Sequence, residues 1–275
     1  MNIGQALRQA AVHGVARLDA HLLMLHALGR PASDRAWLLA HDDDELQPES
    51  SASFEALCHR CRAGEPIAYL TGHREFFGLA LAVDSRVLVP RPETETLVEW
   101  ALQVLEGVAR PRIIDLGTGS GAIALALAHR RPDAVVEAVD ASAAALEVAR
   151  GNAQRLHVPV RLSQRDWLNG CTGPYELVVS NPPYVRDGDE HLAQLAHEPL
   201  SALAAGPDGL DDLRAIIATA PPRLAPGGWL LLEHGWDQAE AVRSLMEAAG
   251  LACVGSRRDL AGIERCSGGR RPERG

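Results

Sequence analysis

Asn181-Pro182-Pro183-Tyr184 carries more chemistry than any other short segment of the chain. Two successive prolines fix the backbone and donate no hydrogen bonds, so their carbonyls stay available as acceptors. The side-chain oxygen of Asn181 and the carbonyl of Pro182 can together accept both protons of an –NH2 group. Tyr184 can lie over the planar group that bears that nitrogen. Such a site turns the lone pair of a conjugated nitrogen toward an electrophile. An amide nitrogen is a weak nucleophile because its lone pair is delocalised, and placement at near-attack distance can supply about 7–11 kcal/mol. Carbonyl acceptors add stabilisation as the nitrogen gains positive charge. No histidine or lysine base is required. The plain alternative is a rigid proline turn.

A second constellation, Asp115-Leu116-Gly117-Thr118-Gly119-Ser120-Gly121, runs from an apolar stretch into a helical one. Its glycines permit tight backbone angles and close approach of a ligand. With Ala122 the loop also satisfies the G-x-G-x-x-G/A dinucleotide fingerprint. Asp140, at the end of the next apolar stretch, would hold ribose hydroxyls under either reading. Two features favour S-adenosyl-L-methionine. The acidic Asp115 precedes the glycines, which suits a zwitterionic, sulfonium-bearing ligand better than a pyrophosphate. Downstream, Asp166 and Trp167 offer an acid and an aromatic to flank an adenine, and a hydride-transfer enzyme has no use for Asn181–Tyr184.

The elements that must position these residues are legible as patterns. Residues 1–73 read as helical, with three-to-four spacing over Ile3–Val12, Leu18–Leu28, Ser33–Leu39 and Ser51–Arg62. Arg74–Phe77 and Leu79–Val83, either side of Gly78, predict a hairpin. Pro90-Arg91-Pro92 introduces a helix over Glu93–Leu105. Apolar runs at Arg112–Leu116, Val135–Val139, Val158–Leu162, Glu176–Ser180 and Trp229–Glu233 predict strands, with helices at Ala122–Arg130 and Ser142–Leu156. This alternation predicts a doubly wound parallel α/β sheet with its ligand at the carboxyl ends of the strands. Leu251–Ser267 can add two strands, and the Gly/Arg-rich residues 268–275 read as a disordered tail.

Composition excludes much else. All 27 basic residues are arginine, so no Schiff-base or Walker A lysine exists. A net charge of −9 argues against direct nucleic-acid binding. No apolar run approaches the roughly 20 residues that span a membrane, and Met1–Ala20 lacks a compact signal-peptide core. A cytoplasmic protein without membrane or metal partners is therefore expected. The five scattered cysteines read as reduced thiols, with Cys58 and Cys61 an i, i+3 pair on a helix rather than half a zinc site. His41-Asp42-Asp43-Asp44-Glu45 reads as a solvated loop.

On these residues the sequence resembles the bacterial release factor glutamine methyltransferases, also called protein N5-glutamine methyltransferases. The likeness covers nearly the whole chain. It runs through Glu65–Gly72, Arg74–Gly78, Val89-Pro90-Arg91-Pro92-Glu93-Thr94-Glu95, Asp115–Leu127, Ser180–Tyr184, Glu198-Pro199 with Ala202-Leu203, Gly206–Leu210, and Asp259 with Gly262. The Asn-Pro-Pro-Tyr signal alone is shared with DNA adenine and ribosomal RNA methyltransferases, whereas the Pro90–Glu95 linker behind a helical front domain is more specific. The resemblance implies a helical, substrate-docking domain over 1–73, a β-hairpin linker over 74–90, and over 91–267 a seven-stranded Rossmann-like class I methyltransferase domain. It implies that Gly117, Thr118, Gly119, Ser120, Gly121, Asp140, Trp167 and Asn181, together with Asp115 and Asp166 from the residue reading, bind S-adenosyl-L-methionine. Asn181, Pro182, Pro183 and Tyr184 would bind the glutamine of the Gly-Gly-Gln loop in peptide chain release factors, with Asn181, Pro182 and Tyr184 catalytic. The product would be S-adenosyl-L-homocysteine. Methylation of an exocyclic amine on DNA or ribosomal RNA, and a dinucleotide-binding module, are the alternative readings.

Overall fold

Helical periodicity in the first 73 residues folds as α1 (Ile3–Val12), α2 (Arg17–Ala27), α3 (Arg35–Ala40), α4 (Pro48–Arg62) and α5 (Ile67–Thr71) in the computed structural model, which describes residues 1–273. Asn2 and Gln5 form a capping box at the start of α1, satisfying two otherwise orphaned N–H groups. The backbone carbonyls of Asp42 and Asp44 accept from Gly4 and Ile3, so the acidic run acts as a loop seated on that same helix end. In α2 the successive residues Leu23, Met24 and Leu25 are all fully buried, because α1, α3, α4 and α5 pack around it. Cys58 and Cys61 lie half-buried on α4, and burial pushes the Cys58 thiol up to about 11. No cluster of potential metal ligands occurs among the described residues.

The chain divides into two compact units, Met1–His73 and Arg74–Gly275. The hairpin β1 (His73–Phe76) and β2 (Leu79–Ala82) starts at the boundary residue, His73. The helix predicted over Glu93–Leu105 begins instead as a tight 3-10 turn, Pro92–Thr94, followed by α6 (Glu95–Val104). Then come β3 (Arg112–Leu116), α7 (Ala122–Arg130), β4 (Val135–Asp140), α8 (Ala143–Leu156), β5 (Arg161–Gln164), β6 (Tyr175–Ser180), α9 (Asp211–Thr219), β7 (Leu224–Glu233), α10 (Ala239–Ala248), β8 (Ala252–Arg258) and β9 (Glu264–Arg270).

The seven-stranded sheet has the order β5-β4-β3-β6-β7-β9-β8, parallel from β5 to β7, with β9 antiparallel to both neighbours. Alternation along each strand sends successive residues to opposite faces. Ile113 joins a core with Leu97, Trp100 and Leu125, whereas Ile114 joins another with Leu213, Ile216 and Met246. Asn152 on α8 is fully buried and spans two elements: it exchanges hydrogen bonds with the backbone of Ala82 and donates to the carbonyl of Ser120.

The carboxyl-terminal tail departs from expectation. Residues 268–270 are not disordered but complete β9, where Gly268 pairs with Leu231 and Gly255. Arg271 donates its backbone N–H to Gly228, while residues 274–275 lie outside the described residues. Composition suggested flexibility, but these glycines serve close packing. A Cβ on Gly268 would sit 2.4 Å from Leu231 Cδ2 and 2.8 Å from the Trp100 ring. Gly268→Ala should therefore cost about 1–3 kcal/mol through overpacking, lowering the melting temperature by several degrees. A variant that melts with the wild type would show that this strand is not packed as described.

Candidate functional site

Strand register assembles the site. In the parallel pairs Leu116 lies opposite Val139 and Ser180, Asp140 opposite Gln164, and Ser180 opposite Leu232. The next residue along each strand is thus delivered to one edge of the sheet: the Gly117 loop, Asp140, Arg165 to Trp167, Asn181 and Glu233. Strand order reverses between β3 and β6, which is where open α/β sheets bind ligands.

A cavity of about 350 Å³ opens at this edge. Gly117, Thr118, Gly119, Ser120, Asp140, Asp166, Trp167, Asn181 and Pro183 line it. Asp115, Gly121, Pro182 and Tyr184 do not, although the last three flank residues that do. Residues that the sequence reading did not single out also line it, among them Arg91, Thr94, Ser142 and Asp212. Only the resemblance, through the Pro90–Glu95 linker, carried a signal for Arg91 and Thr94; nothing in the sequence pointed to Asp212.

Asp115 has a different task from the one its position suggested. It is fully buried, and its Oδ2 accepts from the Thr118 hydroxyl at 2.6 Å and from the Ala124 N–H at 3.2 Å. Ala124 belongs to the first turn of α7, so a carboxyl group of the chain occupies the helix end that a pyrophosphate would need. This occupation disfavours a dinucleotide. Burial raises the Asp115 pKa to about 7, opposed by the hydrogen bonds from Thr118 and Ala124. The folded chain therefore holds a proton there that the unfolded chain releases near 3.8. That stabilisation is complete below the unfolded value and is lost as pH rises through the folded one. Burial raises Glu233 to about 7 as well, adding in the same direction. Between about pH 4 and 7, stability of Asp115→Asn should accordingly fall less steeply than that of the wild type, measured as urea midpoints. Parallel slopes would refute this role.

Asp140 keeps capacity for a ligand. Its Oδ2 accepts from the Gly119 N–H and its Oδ1 from the Ser142 N–H, each at 2.8 Å. A carboxylate has about four acceptor positions, so each oxygen can still accept from one hydroxyl. Trp167 adopts a left-handed backbone with φ +47°, which is costly for a bulky residue. Its ring lies over Gly117, where a Cβ would come within 3.2 Å of it, and the φ of +67° at that position itself favours glycine. Burial raises the carboxyl of Asp212, and a hydrogen bond with Trp167 opposes the rise. An acceptor pair for a diol, an aromatic plate and flanking acids fit an adenosyl group carrying no phosphate.

At the other end, Asn181 Nδ2 donates to the Thr94 hydroxyl at 3.2 Å. Pro182 is buried beneath the site. Tyr184 does not lie free to cover a substrate: its hydroxyl donates to Glu233 Oε1 at 3.3 Å, and burial beside Glu233 pushes its pKa upward. Arg91 is paired with the buried Glu198, whose other oxygen accepts from the Val89 N–H at 3.0 Å. The segment ahead of α6 is thereby clamped to the loop beyond β6.

The "Methyltransferase small domain" family profile matches residues 94–206, and the "PrmC N-terminal domain" profile matches residues 2–72. A methyltransferase structure from Pyrococcus furiosus, 20% identical, superposes with a TM-score of 0.52 over 79% of this chain and 98% of that one, which supports the fold. The release factor glutamine methyltransferase of Bordetella pertussis is 55% identical over 93% of this chain and 95% of its own length. That of Xylella fastidiosa (strain Temecula1) is 50% identical over 97% and 98% respectively. With both halves matched and identity sustained end to end, the chain is a methyltransferase that belongs to the release factor glutamine methyltransferase family.

Proposed function

We propose that the chain methylates the side-chain amide nitrogen (N5) of the glutamine in the Gly-Gly-Gln motif of peptide chain release factors, using S-adenosyl-L-methionine. The observation that carries this reading is the register that sets Asn181 beside the Gly117 loop, with its amide nitrogen engaged by Thr94 and its oxygen left to accept. Asp140 holds the ribose hydroxyls, Trp167 and Asp166 flank the adenine, and the backbone from Gly117 to Gly121 approaches the rest of the cofactor. Asp115 and Thr118 hold that loop in shape. When bound, the cofactor supplies an electrophilic methyl group on a sulfonium and leaves as S-adenosyl-L-homocysteine.

Asn181 and the carbonyl of Pro182 accept from the substrate –NH2 and orient its lone pair, and Pro183 walls the cavity at that end. Tyr184 supports the loop through Glu233 and bounds the acceptor side. The nitrogen sheds a proton once the new bond forms. Two of the arginines lining the cavity are engaged by acids of the chain, Arg86 by Asp84 and Glu147 and Arg91 by Glu198, which favours a protein over a nucleic-acid acceptor. Residues 1–73 are the proposed docking unit, supported by the exposed side chains of Val12, Leu18 and Leu39. No helix among the described residues is long and apolar enough to cross a membrane. A release-factor substrate puts the reaction in the cytoplasm.

The test offers methyl-labelled cofactor with a folded release factor, with the same protein carrying Gln→Ala in its Gly-Gly-Gln loop, and with duplex DNA or ribosomal RNA. Label is expected only in the first. Label in nucleic acid, or equal label in the Gln→Ala protein, would refute the glutamine reading.

A further inference from the structure

Gln238 belongs to none of the motifs picked out in the sequence, and the proposed reaction gives it no part. Its side chain is nevertheless buried, at 4% exposure. It stands just before α10. Its Oε1 accepts from the Gly235 N–H at 2.8 Å. Its Nε2 donates to the carbonyls of Tyr184 at 3.0 Å, Gly209 at 3.2 Å and Asp208 at 3.4 Å. One amide thus joins three loops of the same compact unit: those after β6, before α9 and after β7.

The orientation of that amide follows from its partners, which are all backbone groups. An N–H only donates and a carbonyl only accepts. Gly235 therefore takes the oxygen of Gln238, and the three carbonyls share the two protons of its –NH2. Gly209 makes the junction possible. Its φ is +72°, and a Cβ there would lie 2.3 Å from the Tyr184 oxygen and 2.9 Å from Gln238 Nε2.

The junction lies two residues beyond the acceptor pair, Asn181 and Pro182. Upstream, the segment is tied by Ser180, whose hydroxyl donates to the Leu116 carbonyl at 2.7 Å. Downstream, the N–H groups of Tyr184 and Val185 donate to the Leu203 carbonyl at 3.1 and 2.8 Å. Gln238 holds the carbonyl between those two N–H groups. Pro182 and Pro183 span the interval with φ set by their rings and no N–H to anchor them. The direction of the Pro182 carbonyl therefore depends on how firmly both ends are held.

We infer that Gln238 is a positioning residue: through the Tyr184 carbonyl it holds the acceptor segment where the substrate nitrogen meets the methyl group. This deepens the glutamine-amide reading and rests on it. Among the described residues, Gln238 makes no hydrogen bond with the Gly117 loop, Asp140 or Trp167. Its loss should disturb the acceptor and spare the cofactor.

The experiment compares wild type with Gln238→Met and Gln238→Glu. Methionine keeps the length of the side chain and removes both hydrogen-bonding ends. It should lower kcat on a release factor by about tenfold. KM for the release factor and the calorimetric Kd of S-adenosyl-L-homocysteine should stay within about threefold of wild type. A protonated glutamate still accepts from Gly235 and donates its O–H to Tyr184, whereas an ionised one sets a charge against three carbonyl oxygens. Burial among those oxygens favours the protonated form. The ratio of its kcat to that of wild type should be highest near about pH 6 and fall about tenfold toward about pH 9. The ratio cancels titration of the groups common to both proteins. These are Tyr184, Glu233, His234, Asp237 with Arg186, and Asp208 and Asp211 with Arg214. A third readout needs no substrate. The N–H groups of Tyr184 and Val185 should exchange with solvent faster in Gln238→Met than in wild type, while that of Gly119, held by Asp140, exchanges alike in both.

Wild-type kcat in Gln238→Met would overturn the inference, as would a flat pH ratio for Gln238→Glu. A loss of kcat matched in both variants by an equal loss of cofactor affinity would also overturn it, because support of the whole fold would then explain the effect. If wild type leaves release factors unlabelled, the functional reading fails, and the exchange measurement still decides whether Gln238 holds the segment.

Discussion

Asn181→Ala is expected to reduce kcat on a release factor by about 10²–10³-fold, the size of effect seen when one preorganised group facing developing charge is deleted. The loss has two sources. The substrate nitrogen loses an acceptor that fixes the direction of its lone pair, and the carbonyl dipole that meets its growing positive charge disappears. Alanine also leaves the buried Thr94 hydroxyl without its donor, although the fold should survive because Asn181 is only half-buried. Asn181→Asp should retain more activity, since a carboxylate still accepts from –NH2 and favours positive charge. Loss of the donor to Thr94 keeps it below wild type. Single-turnover kinetics with labelled cofactor would measure both variants. Alanine more active than aspartate would remove the acceptor role from Asn181.

Asp140→Ala should weaken cofactor binding by roughly 100-fold or more, because hydrogen bonds to a charged group are worth about 1.5–3 kcal/mol each and the carboxylate can accept two from the ribose. Part of the effect is indirect. The same carboxylate accepts from the backbone N–H of Gly119 and of Ser142, so its removal also loosens the glycine loop and the start of α8. Asp140→Asn separates the contributions: it keeps one acceptor oxygen and the size, and should lie between wild type and alanine. Calorimetric titration with S-adenosyl-L-homocysteine gives the dissociation constants without turnover. An Asp140→Ala variant that binds as tightly as wild type would exclude the ribose assignment.

Much of the fold is readable from residue order, for specific reasons. β3 and α7 have the predicted limits because Ile113, Ile114 and Leu116 mark a buried strand and a glycine loop marks the start of the helix. Apolar patterning predicts β5 at Val158–Leu162, but it forms at Arg161–Gln164. It is an edge strand with a polar sequence, and Val158 is apolar because it packs into the core from a loop. β9 is obscured because its glycines look like a tail, and only the nearness of Trp100 and Leu231 explains them. At the site, Asp140, Trp167 and Asn181 are visible because each follows a recognisable strand. Glu233 also ends a predicted strand, but no motif surrounds it. Its relation to Asn181 exists only through the Ser180–Leu232 register, a pairing between residues far apart in sequence. For the same reason the position of Asp115 suggests a group facing the ligand, when burial turns it to the helix end instead.

The register has an evolutionary corollary. In chain order the strand-end groups run 117, 140, 167, 181 and 233, but across the sheet they run 167, 140, 117, 181 and 233. Neighbouring strands are about 4.8 Å apart, so this row behaves as a graduated rule along one edge of the protein. Groups suited to a nucleoside occupy one half of the rule and groups suited to the nucleophile occupy the other. A mutation after β6 or β7 can therefore explore new acceptors while the nucleoside half keeps its spacing. Inheritance can vary the one independently of the other.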